Sequence, residues 1–359
     1  MLEILLRLPS HALFRAFGAQ AVLPFNITFN VTSACNCRCR TCNIWERAGE
    51  ILSLDEYEKI FCSLGRAPVW ITFSGGEPFL RDDLPEICGA AGRICRPAII
   101  NVPTNGSLAR LPSMVERICE LCPSSQIIVN MSLDGPGALH DEIRAHKDLF
   151  ETWRKNYDAL RSINRPNLSI GVMTVISVFN VEKFQELCDF VLDGLKPDSY
   201  ITEIAEERVE LRTVGKGITP SIEDYCRAVD YLLSRISREK FAGISRITQS
   251  FRKEYYQYVK RVLAEKRQLI PCYAGFASCQ VFPNGDVWPC CIKAEEYLMG
   301  NLKAAQYDFG KVWRSREAAL ARRRISAKEC FCPLANASYT NMLFHLPTLM
   351  RVFFRFLFH

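Results

Sequence analysis

The sequence predicts an α/β protein made of repeated β-α units around a parallel sheet, followed by a small cysteine-rich unit stapled by metal. Three observations predict it. Strand-like and helix-like stretches alternate at intervals of roughly 30 to 40 residues through the first 204 residues. Polar and glycine residues recur at the carboxyl ends of the strands, where α/β folds place their chemistry. From residue 271 onward the pattern changes to Cys, Gly and aromatic residues with short strands. Periodicity alone does not separate an open sheet from a partial barrel.

The elements follow in order. FNITFNV at 25–31 is β-rich and leads into a cysteine cluster, and 53–65 is helical, with Ser53 as a cap and Glu56 three residues later. VWITFSG at 69–75 is a short apolar strand running into glycines, followed by a helix from Asp83 to Arg96. Strand and turn at 98–106, helix at 111–122, and the strand IIVNMSLDG at 127–135 continue the alternation. A helix at 147–163, a strand at 168–176, an amphipathic helix at 181–195 and the strand DSYITEI complete it. The stretch 220–268 reads as charged helix, and Pro283-Asn284-Gly285-Asp286 reads as a turn. The organisation expected is an N-terminal amphipathic segment at 1–24, a catalytic unit at 25–220, a helical bridge at 221–268, a metal-stapled unit at 269–335 and a hydrophobic, basic tail at 336–359.

At 359 residues, 48% hydrophobic and 23% charged, the chain has the composition of an ordinary globular protein. Its net charge of +6 is modest, and no nucleic-acid-binding signature accompanies it, so nucleic acid is not an expected partner. The 17 cysteines exceed what a cytosolic core needs. A disulfide scaffold would be smaller and would carry a secretory signal, whereas Glu3 interrupts the first apolar run and no small-residue cleavage site follows. The expectation is a cytoplasmic protein whose cysteines bind metal. Both chain ends are apolar and dotted with arginine, including Arg351 and Arg355 in the last run. They are read either as helices packed on the catalytic unit or as amphipathic helices in a membrane interface.

Cys35, Cys37, Cys39 and Cys42 lie just after the first strand. Thiolates are soft ligands suited to zinc or iron–sulfur clusters. Cys35, Cys39 and Cys42, with C-x3-C-x2-C spacing, can hold three irons of a cubane and leave the fourth open to a small molecule; Cys37 is expected to be a bystander. This loop, with Trp45 behind it, resembles the cluster loop of radical S-adenosylmethionine (SAM) enzymes, although Thr41 stands where that family often has an aromatic residue. Ser74-Gly75-Gly76-Glu77-Pro78 resembles the family's GGEP motif, Pro103-Thr104-Asn105-Gly106 the next SAM-side turn, and Ser132-Leu133-Asp134-Gly135 the motif near the SAM ribose and substrate. The resemblance implies a partial (β/α)6 barrel, a [4Fe-4S] cluster on the three cysteines, and SAM held by Gly75, Gly76, Glu77, Pro78, Thr104, Asn105, Ser132 and Asp134, and Arg144 in the run that follows is read as a further SAM contact. Asp134 is also expected among the catalytic residues. His140 and Arg144, four apart, are placed on one helix face, contacting ligand or forming a salt-bridge cluster with Asp141.

Cys272, Cys279, Cys290, Cys291, Cys330 and Cys332, with Gly300-Asn301-Leu302 and Trp313 between them, resemble the SPASM/twitch extension in its shorter, single-cluster form. That resemblance implies a second, auxiliary [4Fe-4S] cluster on Cys272, Cys290, Cys330 and Cys332, with Cys279 or Cys291 as substitutes. A zinc ribbon is the alternative. The run Arg322-Arg323-Arg324 is read as a solvated helix face or a phosphate contact.

The reaction expected is reductive cleavage of SAM to a 5'-deoxyadenosyl radical that abstracts a substrate hydrogen, with a reductant such as flavodoxin or ferredoxin. The first expectation is dehydrogenation of a small metabolite with the auxiliary cluster as electron acceptor. The alternatives are a peptide-modifying epimerase or crosslinking enzyme, for which Cys226 or Cys291 offers a hydrogen donor, and a zinc-stapled interaction protein without catalysis.

Overall fold

The computed structural model describes residues 2–18, 21–47, 49–237 and 244–358. Six strands run parallel and lie side by side in chain order: β1 (Asn26–Thr32), β2 (Trp70–Gly75), β3 (Ile99–Thr104), β4 (Gln126–Ser132), β5 (Leu168–Ile176) and β6 (Ser199–Ile204). β1 and β6 do not pair with each other, so the array is a partial barrel with an open seam. Beyond β1 the same sheet continues into the cysteine-rich region. β7 (Ser278–Val281) pairs with β1 in parallel, and β8 (Asp286–Trp288) and β9 (Gly300–Asn301) follow antiparallel.

Successive side chains of a strand point to opposite faces, and here the two faces differ in chemistry. Ile27, Phe29 and Val31 of β1, Ile71 and Phe73 of β2 and Ile100 and Val102 of β3 are buried under the helical layer. Thr28, Asn30, Thr72, Asn101 and Asn130 share the other face, where Asn130 donates to Asn101 and Asn101 to Thr72. The inner wall is therefore polar and the outer wall apolar.

The first helix, α1 (Leu2–Phe17), packs Phe14 with Phe25, Tyr273 and Phe276 in a small core of its own. α2 (Leu54–Leu64), α3 (Leu84–Ile94), α4 (Leu111–Leu121), α5 (Ala138–Arg144), α6 (Leu149–Arg161), α7 (Phe184–Asp189) and α8 (Ile222–Ile236) are spaced along the six strands. The expected cap of α2 is present in both directions: Ser53 Oγ accepts from Glu56 N, and Glu56 Oε2 accepts from Ser53 N at 2.8 Å. The stretch expected as one helix at 181–195 is divided into a 3₁₀ turn, α7 and a π-helical end over Phe190–Leu195. Within the region read as a bridge, α8 packs on α7, where Tyr231 donates to Asp189.

The open seam is covered by two later helices, α9 (Ile244–Glu265) and α12 (Ala335–Leu343). Tyr256 of α9 accepts from Thr202 N of β6 at 3.1 Å. The first N–H of α12, on Ala335, donates to Glu203 of β6, while Asn336 donates to Thr28 of β1. α12 thus joins the two strands that do not join each other.

The cysteine-rich region carries more helix than its sequence suggested: α10 (Phe309–Trp313) and α11 (Arg316–Ser326) lie between its strands and its last cysteines. The predicted turn at Pro283–Asp286 closes the β7–β8 hairpin, with Gly285 at φ +91°. Arg322 corrects the reading of the arginine run as a solvated face. It is buried, donates to Gly275 O and Trp313 O, and lies over the rings of Phe14 and Trp313. Besides nearby Trp313, its partners Gly275 and Phe14 lie far away in the chain, so no local pattern marks it. The chain ends in α13 (Leu346–Phe358).

Candidate active site and cluster-binding cysteines

The cysteine loop leaves the carboxyl end of β1 and is pinned on three sides. Arg38 N and Arg40 N donate to the carbonyls of Arg144 and Ile143, closing the end of α5, and Asn43 N donates to Leu211 O. Arg38 also lies 4.2 Å over the Trp45 ring. The two glycines of the GGEP motif explain how β2 meets this loop. A Cβ on Gly75 would stand 2.1 Å from Thr32 O, and one on Gly76 would stand 2.1 Å from Ala34 O. Gly75 also has φ +134°, a backbone state that suits glycine. Gly76 N and Glu77 N then donate to those same carbonyls at 2.7 and 2.9 Å.

Glu77 is the buried centre of this end of the barrel. One carboxylate oxygen accepts from Thr104 Oγ1 at 2.8 Å and from Phe79 N, and the other from Asn105 N at 2.7 Å. Burial still pushes its pKa up to about 7, because these donors do not make up for lost water. Pro78 is buried and opens the short turn that follows. Asn105 reaches back to the cysteine loop, its Nδ2 lying 3.3 Å from Cys37 Sγ and 2.9 Å from Asn36 Oδ1.

Within the loop, Cys35 is drawn down to about 6, chiefly by a hydrogen bond from Cys37, and Cys39 is drawn down by the same neighbour. Cys42 is pushed up to about 12 by burial. Cys37, expected to be a bystander, is buried between Cys35 and Cys39 and is their hydrogen-bond partner.

On β4, Ser132 is half-buried at the strand end. Asp134 accepts from Arg144 Nε at 2.7 Å and from Val175 N at 3.1 Å, so both of its oxygens are engaged by the protein. Arg144 carries the positive charge of this pair to within electrostatic reach of Cys35, Cys37 and Cys39. His140 shares α5 with Arg144, but its Nδ1 accepts from Asp134 N, so it braces the turn. Asp141 does not join them and instead accepts from Phe150 N.

Among the C-terminal cysteines, Cys272, Cys290, Cys330 and Cys332 lie within electrostatic reach of one another, and Cys291 adjoins them. Cys279 is apart, buried beside Arg322. A local pattern recurs at the expected ligands: a sulfur accepts a backbone N–H from two or three residues ahead. The donors are Cys37 for Cys35, Ile44 for Cys42, Ala274 for Cys272, Lys293 for Cys290 and Leu334 for Cys332. Such amides stabilise thiolate ligands and tune a cluster's potential, and the donor set suits iron–sulfur binding. Among the described residues no three His, Cys, Asp or Glu side chains converge on a single-ion site. A cubane spreads its thiolates over separate irons and does not need that convergence.

Between the two cysteine groups lies a set the sequence reading passed over. Arg208, just beyond β6, donates to Glu210 at 2.9 Å and to Cys291, and its charge reaches Cys42. Gln280 of β7 holds the other oxygen of Glu210. Arg208 Nε is buried without a hydrogen-bond partner. The charged run Glu206-Glu207-Arg208 at a strand's carboxyl end was the available signal.

Comparison with known proteins agrees with this geometry. The family model of the radical SAM superfamily matches residues 29–191, and that of the SPASM iron–sulfur cluster-binding domain matches residues 272–333. The subtilosin biosynthesis protein AlbA of Bacillus subtilis is 24% identical over 92% of this chain and 69% of its own length. Fe-coproporphyrin III synthase of Methanosarcina barkeri is 28% identical over 64% of this chain and 55% of its own. Among solved structures, Streptococcus suis SuiB bound to its precursor peptide SuiA superposes with a TM-score of 0.61 at 17% identity, over 88% of this chain and 70% of that one. The matches to the radical SAM and SPASM family models set aside the reading of a zinc-stapled, non-catalytic protein. The chain belongs to the radical SAM superfamily of enzymes and carries a SPASM-type auxiliary domain at its C-terminal end.

Proposed function

We propose that the protein modifies a peptide substrate by SAM-dependent radical chemistry, drawing electrons from a flavodoxin- or ferredoxin-type reductant. Likeness to AlbA, a bacteriocin biosynthesis protein, over nearly the whole chain carries this reading, and the fold shared with SuiB, which binds a precursor peptide, supports it. This moves the emphasis from the small metabolite first expected to the peptide alternative. A small-molecule substrate is the second reading, favoured by the likeness to Fe-coproporphyrin III synthase.

When bound, a [4Fe-4S] cluster and SAM would supply a 5'-deoxyadenosyl radical that takes a hydrogen from the substrate. Cys35, Cys39 and Cys42 would hold that cluster, while Cys37 and Asn105 supply hydrogen bonds to the loop. Glu77 offers a negative charge for the SAM ammonium group, and Thr104 and Asn105 orient its carboxylate. Asp134 positions Arg144, whose charge stands next to the cysteine loop. Cys272, Cys290 and Cys332, each with an amide donor, and Cys330 would hold the auxiliary cluster, which fits a role as electron acceptor.

The test uses anaerobically reconstituted protein and host extract. Extract should stimulate 5'-deoxyadenosine release, and protease treatment of the extract should abolish that stimulation. Stimulation that survives protease and passes a small-molecule filter would replace the peptide reading with the second one. Substitution of Cys35, Cys39 and Cys42 by alanine should abolish release in either case.

A further inference from the structure

We propose that α1 and α13 form a docking surface for an anionic lipid bilayer, lying in its interface rather than crossing it. On α1, the exposed apolar residues Leu6, Leu13 and Phe17 are spaced by seven and four, which places them in one narrow stripe. On α13, Leu346, Met350, Phe353 and Phe354 fall on one face in the same way and are all exposed. These seven are most of the large hydrophobic side chains that stand exposed among the described residues, and they include every exposed phenylalanine. Phe344, which caps α12 just ahead of α13, packs near His11 of α1, so α13 starts close to α1. Concentration of exposed apolar side chains on two amphipathic helices is not what a solvated surface requires.

Charge decides between occupants. α13 has no acidic residue. Its Arg351 and Arg355 share the single carboxylate of Glu254, and Lys253 stands beside Arg355. Exposed Arg66 adjoins α1, where its carbonyl accepts from Arg7. Arg351 stands at the edge of the α13 stripe while Arg355 turns toward α9, and because the two share one carboxylate, α13 keeps net positive charge beside its apolar face. A second copy would bring these cations toward their own equivalents, whereas anionic headgroups complement them while the acyl boundary takes the apolar faces. No helix among the described residues is long and apolar enough to span a membrane, so the helices would lie in the interface plane. This inference is independent of the substrate reading.

The experiment is vesicle flotation of the reconstituted full chain, with phosphatidylcholine alone and with phosphatidylcholine mixed with phosphatidylglycerol. The protein should float with the mixed vesicles, and added salt should weaken the binding. The double substitution Phe353→Ser with Phe354→Ser should lower partitioning by at least about 10-fold, with iron content and SAM cleavage in vesicle-free solution unchanged. Failure to float, equal binding to neutral vesicles, or an unaffected double variant would overturn the proposal. So would a dimer in size-exclusion chromatography that the double variant converts to monomer, because a second copy would then cover the face.

Discussion

Glu77→Gln separates the function of this buried carboxylate from its contribution to the fold. In the ligand-free protein, burial raises the Glu77 pKa from 4.5 to about 7. Between those values the folded state keeps a proton that the unfolded state has lost, so stability falls as pH rises through the window. The shift of about 2.5 units, at about 1.4 kcal/mol each, amounts to roughly 3 kcal/mol of stability lost by the alkaline end. Glutamine removes that cost. It also turns an amide nitrogen toward the N–H of Asn105 or Phe79, where both carboxylate oxygens now accept, which costs about 1–3 kcal/mol. The two effects nearly cancel above pH 7, so apo Glu77→Gln should unfold in urea close to the wild type there and lose the decline in stability with pH. SAM binding should behave differently. A charge-assisted hydrogen bond to the SAM ammonium is worth about 1.5–3 kcal/mol, so calorimetry should show roughly 10- to 100-fold weaker binding by the variant. In the wild type, the ionised fraction of Glu77 climbs about tenfold between one pH unit below and one above its pKa, so affinity should rise by up to about tenfold across that span. Equal SAM affinity in the variant, or wild-type affinity flat with pH, would refute the assignment of Glu77 to the ligand.

Further predictions follow from the same contacts. Cys279→Ala should leave the iron content of reconstituted protein unchanged, whereas Cys272→Ala or Cys290→Ala should remove about four irons, read by iron and sulfide analysis. Cys330→Ala and Cys291→Ala discriminate the fourth ligand: the Cys330 variant should lose the auxiliary cluster, and the Cys291 variant should keep it with an altered reduction potential, because Arg208 loses its sulfur partner. Gly76→Ala should destabilise the protein by at least about 2 kcal/mol in urea unfolding, since its Cβ would meet the Ala34 carbonyl at 2.1 Å and backbone has to move. Arg144→Met should cost about 3–5 kcal/mol, because Asp134 would remain buried without its cation.

The sequence alone determined the β-α alternation, the parallel sheet, and the grouping of Cys35, Cys39 and Cys42 with Gly75-Gly76-Glu77. These features are local: period-two strands, capped helices, and short motifs whose residues act within a few positions of each other. It also marked Cys272, Cys290, Cys330 and Cys332 as a set. Only the tertiary structure separates Cys279, buried beside Arg322, from Cys291, which adjoins the other C-terminal cysteines and bonds to Arg208, because those neighbours come from distant parts of the chain. The same holds for Asp134, whose oxygens are taken by α5 and β5, and for Arg322, whose burial depends on α1 and β7. The sealing of the seam by α9 and α12 is likewise a matter of assembly, since Glu203 and Ala335 lie far apart in the chain and meet only when the barrel forms. A motif reports what a segment can do with its own neighbours. Which long-range partners a buried charge or thiol acquires is fixed only when the layers pack, because a buried polar group must then find its counterpart among whatever the fold brings within reach.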